Sequence, residues 1–278
     1  MHIDTFNSWS AIYEQSTGGV TRKIATHLLS LLPPFSPSSV VLDNAAGPGI
    51  VTSEILKTNP PDGLTINLVD ASPAMVDIAR NIHSSDESHH PNTPITCAVM
   101  PGEALDFPDE TFTHSITNIG ILVFKDGKKD AREIYRTLKR DGGVAVVTSW
   151  SRKGFAKPLA EASLAVRPEE EGGKPFRLPI DHVWFDPGYL NSTMREAGFD
   201  KVEMKEITFG FGVRNLPLLL EAFRPEIKKA LQGWGEDEFE RMKELFITKG
   251  EEVAEVIEGD LHGELALKMT ASIAICRK

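Results

Sequence analysis

The chain is poor in cysteine: Cys97 and Cys276 are the only two among 278 residues. Each sits in an apolar, strand-like run, ITCAVM and ASIAIC, so two reduced core thiols are expected rather than a disulfide framework. No Cys/His cluster has zinc spacing, which excludes a structural zinc module. No stretch approaches the roughly 20 consecutive apolar residues that span a bilayer. The N-terminus, MHIDTFNSWS, lacks a basic segment followed by an apolar one; it does not read as a secretory signal, and a cytoplasmic location is expected. Positive charge is also short, with 30 Lys plus Arg against 40 Asp plus Glu and a formal net charge of −10. Such a surface repels phosphate backbones and anionic lipid heads, so neither nucleic acid nor membrane is an expected partner. The basic stretch at 125–129 reads as a solvated helix start. No internal repeat and no long low-complexity tract occurs.

What is present suits a globular enzyme. The composition, 41% hydrophobic and 25% charged, supports a packed core. From 40 to 150, strand-like runs alternate with helix-like segments, the pattern of parallel βαβ units. SVVLD (39–43) leads through a Gly-rich turn into the helical stretch IVTSEILKT. LTINLVD ends at Asp70, and Ser72-Pro73 then reads as an N-cap with proline in the first helical position. PITCAVM and THSITNIG follow as the third and fourth runs. Residues 129–138 are amphipathic, with Ala131, Ile134, Tyr135 and Leu138 at helical spacing. Asp141-Gly142-Gly143 opens the fifth run, VAVVTSW, a continuous β-branched strand of the kind covered on both faces. Residues 151–185, rich in Pro, Gly and Glu, read as a loop or partial helix. Asp186-Pro187 caps a helix that Gly198 stops. VEMKEITFGF is strand-like, 216–257 mostly helical, and ELALKMTASIAICRK a final strand.

The chemistry gathers at two strand ends. Asp43-Asn44-Ala45-Ala46-Gly47-Pro48-Gly49 joins the first strand to its helix. Residues without Cβ let backbone approach a ligand closely there, and helix N–H groups face a polar or anionic group. Asp43 is placed to accept from an ammonium or a bound water. Asp70 ends the second strand, where a carboxylate takes both hydroxyls of a ribose. A nicotinamide fold wants G-x-G-x-x-G, but Thr52 stands at the third glycine. An acid at 43 also repels a pyrophosphate, whereas it suits the positively charged amino-acid end of S-adenosylmethionine.

In these residues the chain resembles class I S-adenosylmethionine-dependent methyltransferases. VVLDNAAGPG is similar to their first motif and LVDASPAMVDIAR to their second. PGEALDFPDETFTHS is similar to the third and fourth motifs, and LKRDGGVAVVTSW to the fifth. FNSWSAIYEQSTGGVTRKIA resembles the family's leading helix. LDNAAGPG is further similar to small-molecule methyltransferases of fungal secondary metabolism, such as the gliotoxin thiol methyltransferase. The resemblance implies an α/β fold: a doubly wound, Rossmann-like, seven-stranded and mostly parallel sheet, with an antiparallel C-terminal strand and a helical cap insertion. It implies one domain over 1–278: cofactor-covering helices at 1–38, the cofactor-binding core at 39–150, acceptor-side cap elements with an interspersed core helix and strand at 151–264, and the terminal strand at 265–278.

The same resemblance implies S-adenosylmethionine as cofactor, with S-adenosylhomocysteine as product. It places Asp43, Ala45 and Gly47 around the methionine moiety, Asp70 on the ribose and Ala71 beside the adenine, with Gly49 and Met75 also in the cofactor site. Gly102 and Glu103 fall at the adenine edge, and Asn118 and Ile119 on the methyl-transfer side. Trp9 and Tyr13 either close over the cofactor or staple the first helix to the core. Two departures matter. Pro101 stands where many relatives carry an aspartate for the adenine amino group, and TNIGIL lacks the D/N-P-P-Y/F clamp of enzymes that methylate base or glutamine amides.

The expected acceptor is therefore a small molecule, probed at an O, S or N atom. A hydroxyl acceptor needs its proton removed, and His182 in RLPIDHVWFDP is the candidate base. Phe176, Trp184, Phe185 and Phe223 are candidate walls of an apolar acceptor pocket. His114 reads as a core residue, His89-His90 as a solvated loop, and His262 is undecided between pocket and surface. No metal-ligand set is seen, so metal independence is expected; a monomer or homodimer fits. Three other readings stand beside methylation. A non-methylating member would keep the cofactor as a charged element steering a cyclisation or pericyclic step. A non-enzymatic binding module would lack a tight cofactor site, and a dehydrogenase would bind NAD(P). Product mass separates the first from methylation.

Overall fold

The computed structural model describes residues 3–86, 92–258 and 260–278. His89 and His90 lie outside the described residues. Eight strands form one sheet: β1 (Val40–Asn44), β2 (Thr65–Asp70), β3 (Ile95–Val99), β4 (His114–Thr117), β5 (Val144–Lys153), β6 (Lys201–Gly212), β7 (Glu255–Val256) and β8 (Leu265–Arg277). The order along the sheet is β3-β2-β1-β4-β5-β8-β6, and β7 pairs with β8. Strands β1 to β5 pair in parallel. Strand β8 runs antiparallel to both β5 and β6, so β6 points the same way as the first five.

Among the described residues ten α-helices accompany it: α1 (Ile3–Trp9), α2 (Tyr13–Ser16), α3 (Val20–Leu29), α4 (Ile50–Lys57), α5 (Pro73–Asp86), α6 (Gly127–Thr137), α7 (Ala156–Val166), α8 (Pro187–Glu196), α9 (Leu216–Ala230) and α10 (Glu236–Val253). Val144 to Trp150 of β5 is buried without a break, because helices cover both faces of the central sheet. At the edge, β6 exposes Lys201, Glu203, Lys205 and Glu206. Charges on an edge strand discourage pairing with another chain.

Three details differ from the sequence reading. The eighth strand, β7, is a two-residue piece within the stretch expected to be helical. Ala254 is already extended, and Glu255 and Val256 pair with Ala266 and Leu265. That helical stretch is broken into α9 and α10 by a turn containing Gly233 and Gly235. The segment 151–185 holds a full helix, α7, whose buried Leu159, Ala162 and Ser163 belong to a face packed against α10. Its helical period is short and flanked by Pro, Gly and Glu, so tertiary burial supplies what local pattern did not. Helix α1 packs against α5 and α9, bridging the cofactor-motif half of the sheet to the late helices.

Helix α8 shows local chemistry deciding an element. Asp186 Oδ1 accepts the Gly188 N–H at 2.8 Å, and Pro187 occupies the first turn, where its missing N–H costs nothing. Buried Leu190, Thr193 and Met194 then anchor the helix beside β6 and β8. Asp186→Ala is expected to lose about 1 kcal/mol of stability. Urea unfolding checks this as a lower midpoint at unchanged slope.

Candidate functional site

The sheet order reverses between β1 and β4: connections from β1 run outward to β2 and β3, and those from β4 run the other way. Neighbouring strands that diverge in this way leave a crevice at their carboxyl ends, the usual ligand site of open α/β sheets. Ala45 and Gly47 enter from β1, Asp70, Ala71, Ser72 and Met75 from β2, and Asn118, Ile119 and Gly120 from β4. Ile3, Phe6 and Tyr13 of the N-terminal helices close one side, Val123 and Phe124 another.

Asp70 organises this crevice. Its Oδ2 accepts the Gly47 N–H at 2.8 Å, and its Oδ1 accepts the Ser72 N–H at 2.8 Å. Burial pushes its pKa up, and these two N–H bonds oppose the rise. Each carboxylate oxygen keeps a second lone pair, so the clamp leaves acceptor capacity for an outside donor. Gly47 takes a left-handed φ of +56°, and a Cβ built on it would meet no atom within 4 Å. Open space therefore lies over its backbone.

Two residues with side chains also adopt left-handed backbone here, Ala45 at φ 53° and Ile119 at φ 57°. For a β-branched residue this is a true outlier, costing on the order of 1–3 kcal/mol. Thr148 Oγ1 accepts the Ile119 N–H at 2.7 Å and helps hold it there. Asn118 Nδ2 donates to the Thr21 carbonyl at 2.9 Å, tying the β4 loop to α3. The two loops touch: a Cβ on Gly120 would lie 2.6 Å from the Ala45 Cβ. Strained backbone that the surroundings hold in place is a mark of a working site.

Of the residues expected around a cofactor, Tyr13, Ala45, Gly47, Asp70, Ala71, Met75, Asn118 and Ile119 share this crevice. Five do not. Asp43 is 0% exposed, and its Oδ2 accepts from the Thr52 N–H at 3.0 Å and the Thr52 hydroxyl at 2.7 Å. Thr52, the residue in place of a third glycine, makes both bonds, and Oδ1 has no hydrogen-bond partner among the described residues. Gly49 faces the protein: a Cβ there would sit 2.5 Å from His83 Nε2. Gly102 is boxed in by Asp130, Phe124 and Asn44. Glu103 turns away and accepts the Lys125 and Asp126 N–H groups at 2.9 and 3.3 Å. Trp9 faces a neighbouring cavity and donates its indole N–H to Ser16. Sequence reasoning missed Phe6, whose spacing with Trp9 and Tyr13 at i, i+3 and i+7 marks one helical face; its ring stacks on Trp9 at 6.0 Å.

That neighbouring cavity shares Phe6, Tyr13, Ile119 and Val123 with the crevice. It is walled by Trp9, Trp150, Phe155, Phe211, Phe223 and Met269, among others. Trp9 meets Tyr13 edge-on at 4.9 Å and Phe223 at 5.3 Å. Tyr13 stands between the two spaces. Burial, with Asp70 nearby, pushes its phenol well above the ordinary range, so it stays neutral and polar. Of the expected acceptor walls, Phe223 lines this cavity. Phe176 and Phe185 line a third one, together with His182. Trp184 is buried against Tyr189, 4.9 Å between ring centroids, and lines neither the cavity nor the crevice. His182 is exposed, its ring 5.7 Å from Phe185. Asp181 caps its short turn by accepting the Val183 N–H at 3.2 Å, which leaves the imidazole outside the cavity that adjoins the crevice. His182 thus lines the third cavity and not the one that adjoins the crevice. His114 is buried against Phe35, and His262 is exposed.

A buried polar group stiffens the ground beneath the crevice. Asn44 Nδ2 donates to Asp130 Oδ1 at 2.8 Å and to Thr117 Oγ1 at 3.2 Å. Burial pushes the Asp130 carboxyl up to about 8, and the Asn44 bond opposes this. Burial likewise pushes Asp43 up to about 7 against its Thr52 bonds. Both folded values exceed the ordinary carboxylate value, so neutral forms favour the fold. That stability is complete below the ordinary value of 3.8 and is lost progressively over the range from there to about 7 to 8. Wild-type Tm is expected to fall as pH rises through this range. Asp130→Asn, which keeps an acceptor toward Asn44 but carries no charge, is expected to fall less; scanning calorimetry across the range checks it.

Residues 41–142 match the family described as a methyltransferase domain. The chain is 29% identical over 202 residues to the ubiquinone/menaquinone biosynthesis C-methyltransferase UbiE of Hydrogenovibrio crunogenus, covering 69% of this chain and 77% of that protein. It is 24% identical over 229 residues to the methyltransferase ucsB of Acremonium sp, covering 78% of this chain and 76% of that protein. Among solved structures it resembles the YcgJ protein of Bacillus subtilis, with a TM-score of 0.53 at 16% identity, over 92% of this chain and 99% of that one.

Proposed function

We propose that the chain is a class I S-adenosylmethionine-dependent methyltransferase, as its methyltransferase-domain match and its similarity to a C-methyltransferase support, and that its methyl acceptor is a small, largely apolar molecule seated in the cavity beyond Tyr13 and Ile119. One observation carries the proposal: the strand-end crevice that holds Asp70 and Gly47 shares the walls Phe6, Tyr13, Ile119 and Val123 with an aromatic-lined cavity. Donor and acceptor thereby meet at one boundary, and alignment at that boundary supplies much of the rate.

On this reading Asp70 takes the ribose hydroxyls with the lone pairs its backbone bonds leave free, and the bare Gly47 backbone admits the methionine portion. Ala71 and Met75 flank the adenine, while Asn118 and Ile119 line the path of the methyl. Asp43 acts through Thr52 and the start of α4 rather than by touching the cofactor. Bound S-adenosylmethionine supplies a methyl on a sulfonium, an activated electrophile that departs as a neutral thioether. The aromatic walls exclude water, the competing nucleophile, and α1 with α2 forms the cover. A similar protein is named a C-methyltransferase of ubiquinone/menaquinone biosynthesis; this adds carbon to O, S and N as the acceptor atom. The likeness of LDNAAGPG to fungal secondary-metabolite enzymes supports a ring-containing acceptor of that kind.

Calorimetric titration with S-adenosylmethionine and S-adenosylhomocysteine tests the cofactor site. Micromolar binding is expected, weakened at least about tenfold by Asp70→Ala, or 1.4 kcal/mol. Asp70→Asn, which keeps one acceptor oxygen for a loop N–H, is expected to weaken it less. NAD(H) is expected not to bind. Tight NAD(H) binding, or none by the S-adenosyl ligands, would overturn the proposal.

A further inference from the structure

The acceptor cavity holds one feature that its apolar character does not explain. Lys153 is the last residue of β5, and among the described residues lining this cavity it is the single charged group. Its place there depends on a β-bulge. The register of β5 against β8 shifts between Trp150 and Arg152, so Trp150 and Lys153 reach the same cavity though three positions apart. Lys153 pairs across the sheet with Met269, which lines the cavity too. No described carboxylate forms an ion pair with Lys153; its ammonium lies 4.4 Å from the centre of the Phe185 ring. Burial pushes this ammonium down to about 7, so that both protonation forms are present near neutrality.

The space on the other side of Lys153 points the same way. The third cavity shares Lys153, Phe155 and Leu178 with the acceptor cavity. Its other ionisable lining residues are Lys157, Arg177 and His182, with no carboxylate among them. Lys157 has a partner, Glu161, at 3.6 Å. In a chain of net charge −10, a hollow whose ionisable lining residues are all bases is a local inversion of sign. Such a hollow attracts anions.

We propose that Lys153 selects and activates an acceptor bearing an acidic hydroxyl, a phenol or enol, by pairing with its anion inside the apolar cavity. This rests on the methyltransferase reading and deepens it. The neutral amine takes the hydroxyl proton, leaving a phenolate beside an ammonium. An electron pair of that anion forms the new bond to the methyl carbon, through oxygen or through the adjacent ring carbon. The pair of the broken carbon–sulfur bond stays on sulfur. Attack through carbon is followed by loss of that carbon's proton to water, which restores the ring. Lys153 then releases its own proton to water. Tyr13, the other ionisable group on the cavity, stays neutral and does not compete.

The test uses 4-nitrophenol, whose phenolate absorbs visible light, with the full chain saturated by S-adenosylhomocysteine. A pH titration of the bound probe is expected to place its ionisation at least about one unit lower than in free solution, as an adjacent cation does. Lys153→Met is expected to abolish this shift and to weaken probe binding at neutral pH about tenfold or more. Its affinity for S-adenosylhomocysteine, and the binding of 4-nitroanisole, are expected to stay unchanged, which shows an intact fold. Lys153→Arg is expected to restore the shift. Equal ionisation in wild type and Lys153→Met, or no binding of the probe to wild type, would overturn the assignment. Failure of wild type to bind S-adenosylhomocysteine would instead sink the methyltransferase reading, and this inference with it.

Discussion

Two backbone N–H groups, from Gly47 and Ser72, converge on the carboxylate of Asp70. This convergence ties the loop after β1 to the loop after β2, and the geometry of the crevice follows from it. Strand order places the two ends side by side, but parallel strands alone would leave their loops free. A charged acceptor with a donor on each oxygen is stronger than a neutral one. Its desolvation is offset by those same bonds. The wall so formed presents bare backbone at Gly47 and spare lone pairs at Asp70, which is what a polar ligand with hydroxyls requires.

The opposite wall is held by different means. Ile119 stays in a left-handed conformation that its branched side chain resists, secured by Thr148 from β5 and, through Asn118, by α3. The result is one residue whose side chain belongs to both the crevice and the cavity beyond it. Rigid sheet on one side and short N-terminal helices on the other divide the labour. The sheet fixes geometry, while α1 and α2 contribute Phe6 and Tyr13 from a segment with little sheet contact of its own.

Legibility in the sequence followed locality. The alternation over 40–150, the turn around Gly47, Asp70 at its strand end and the Asp186 cap all depend on residues close together in the chain, and the structure places them as strand ends and helix starts. Carboxylates were harder. Asp43 and Glu103 occupy positions where an outward-facing acid is expected, yet each has found internal donors, at Thr52 and at Lys125 with Asp126. Which donor captures a carboxylate is settled by tertiary packing that no spacing rule encodes. The aromatic cavity was hardest, because Trp9, Lys153, Phe223 and Met269 come from four distant elements. Lys153 reaches it only through a bulge that displaces the alternation of β5 by one residue. His182, conspicuous beside aromatic residues in the sequence, turns outward instead.

A crystal structure of the complex with S-adenosylhomocysteine tests the central claim most directly, namely that the two hollows form one reaction chamber. The account predicts the ribose on Asp70 and the sulfur at the boundary beside Tyr13 and Ile119, facing the aromatic cavity. A ligand bound elsewhere, or one whose sulfur faces solvent with the passage between the hollows closed, would contradict it.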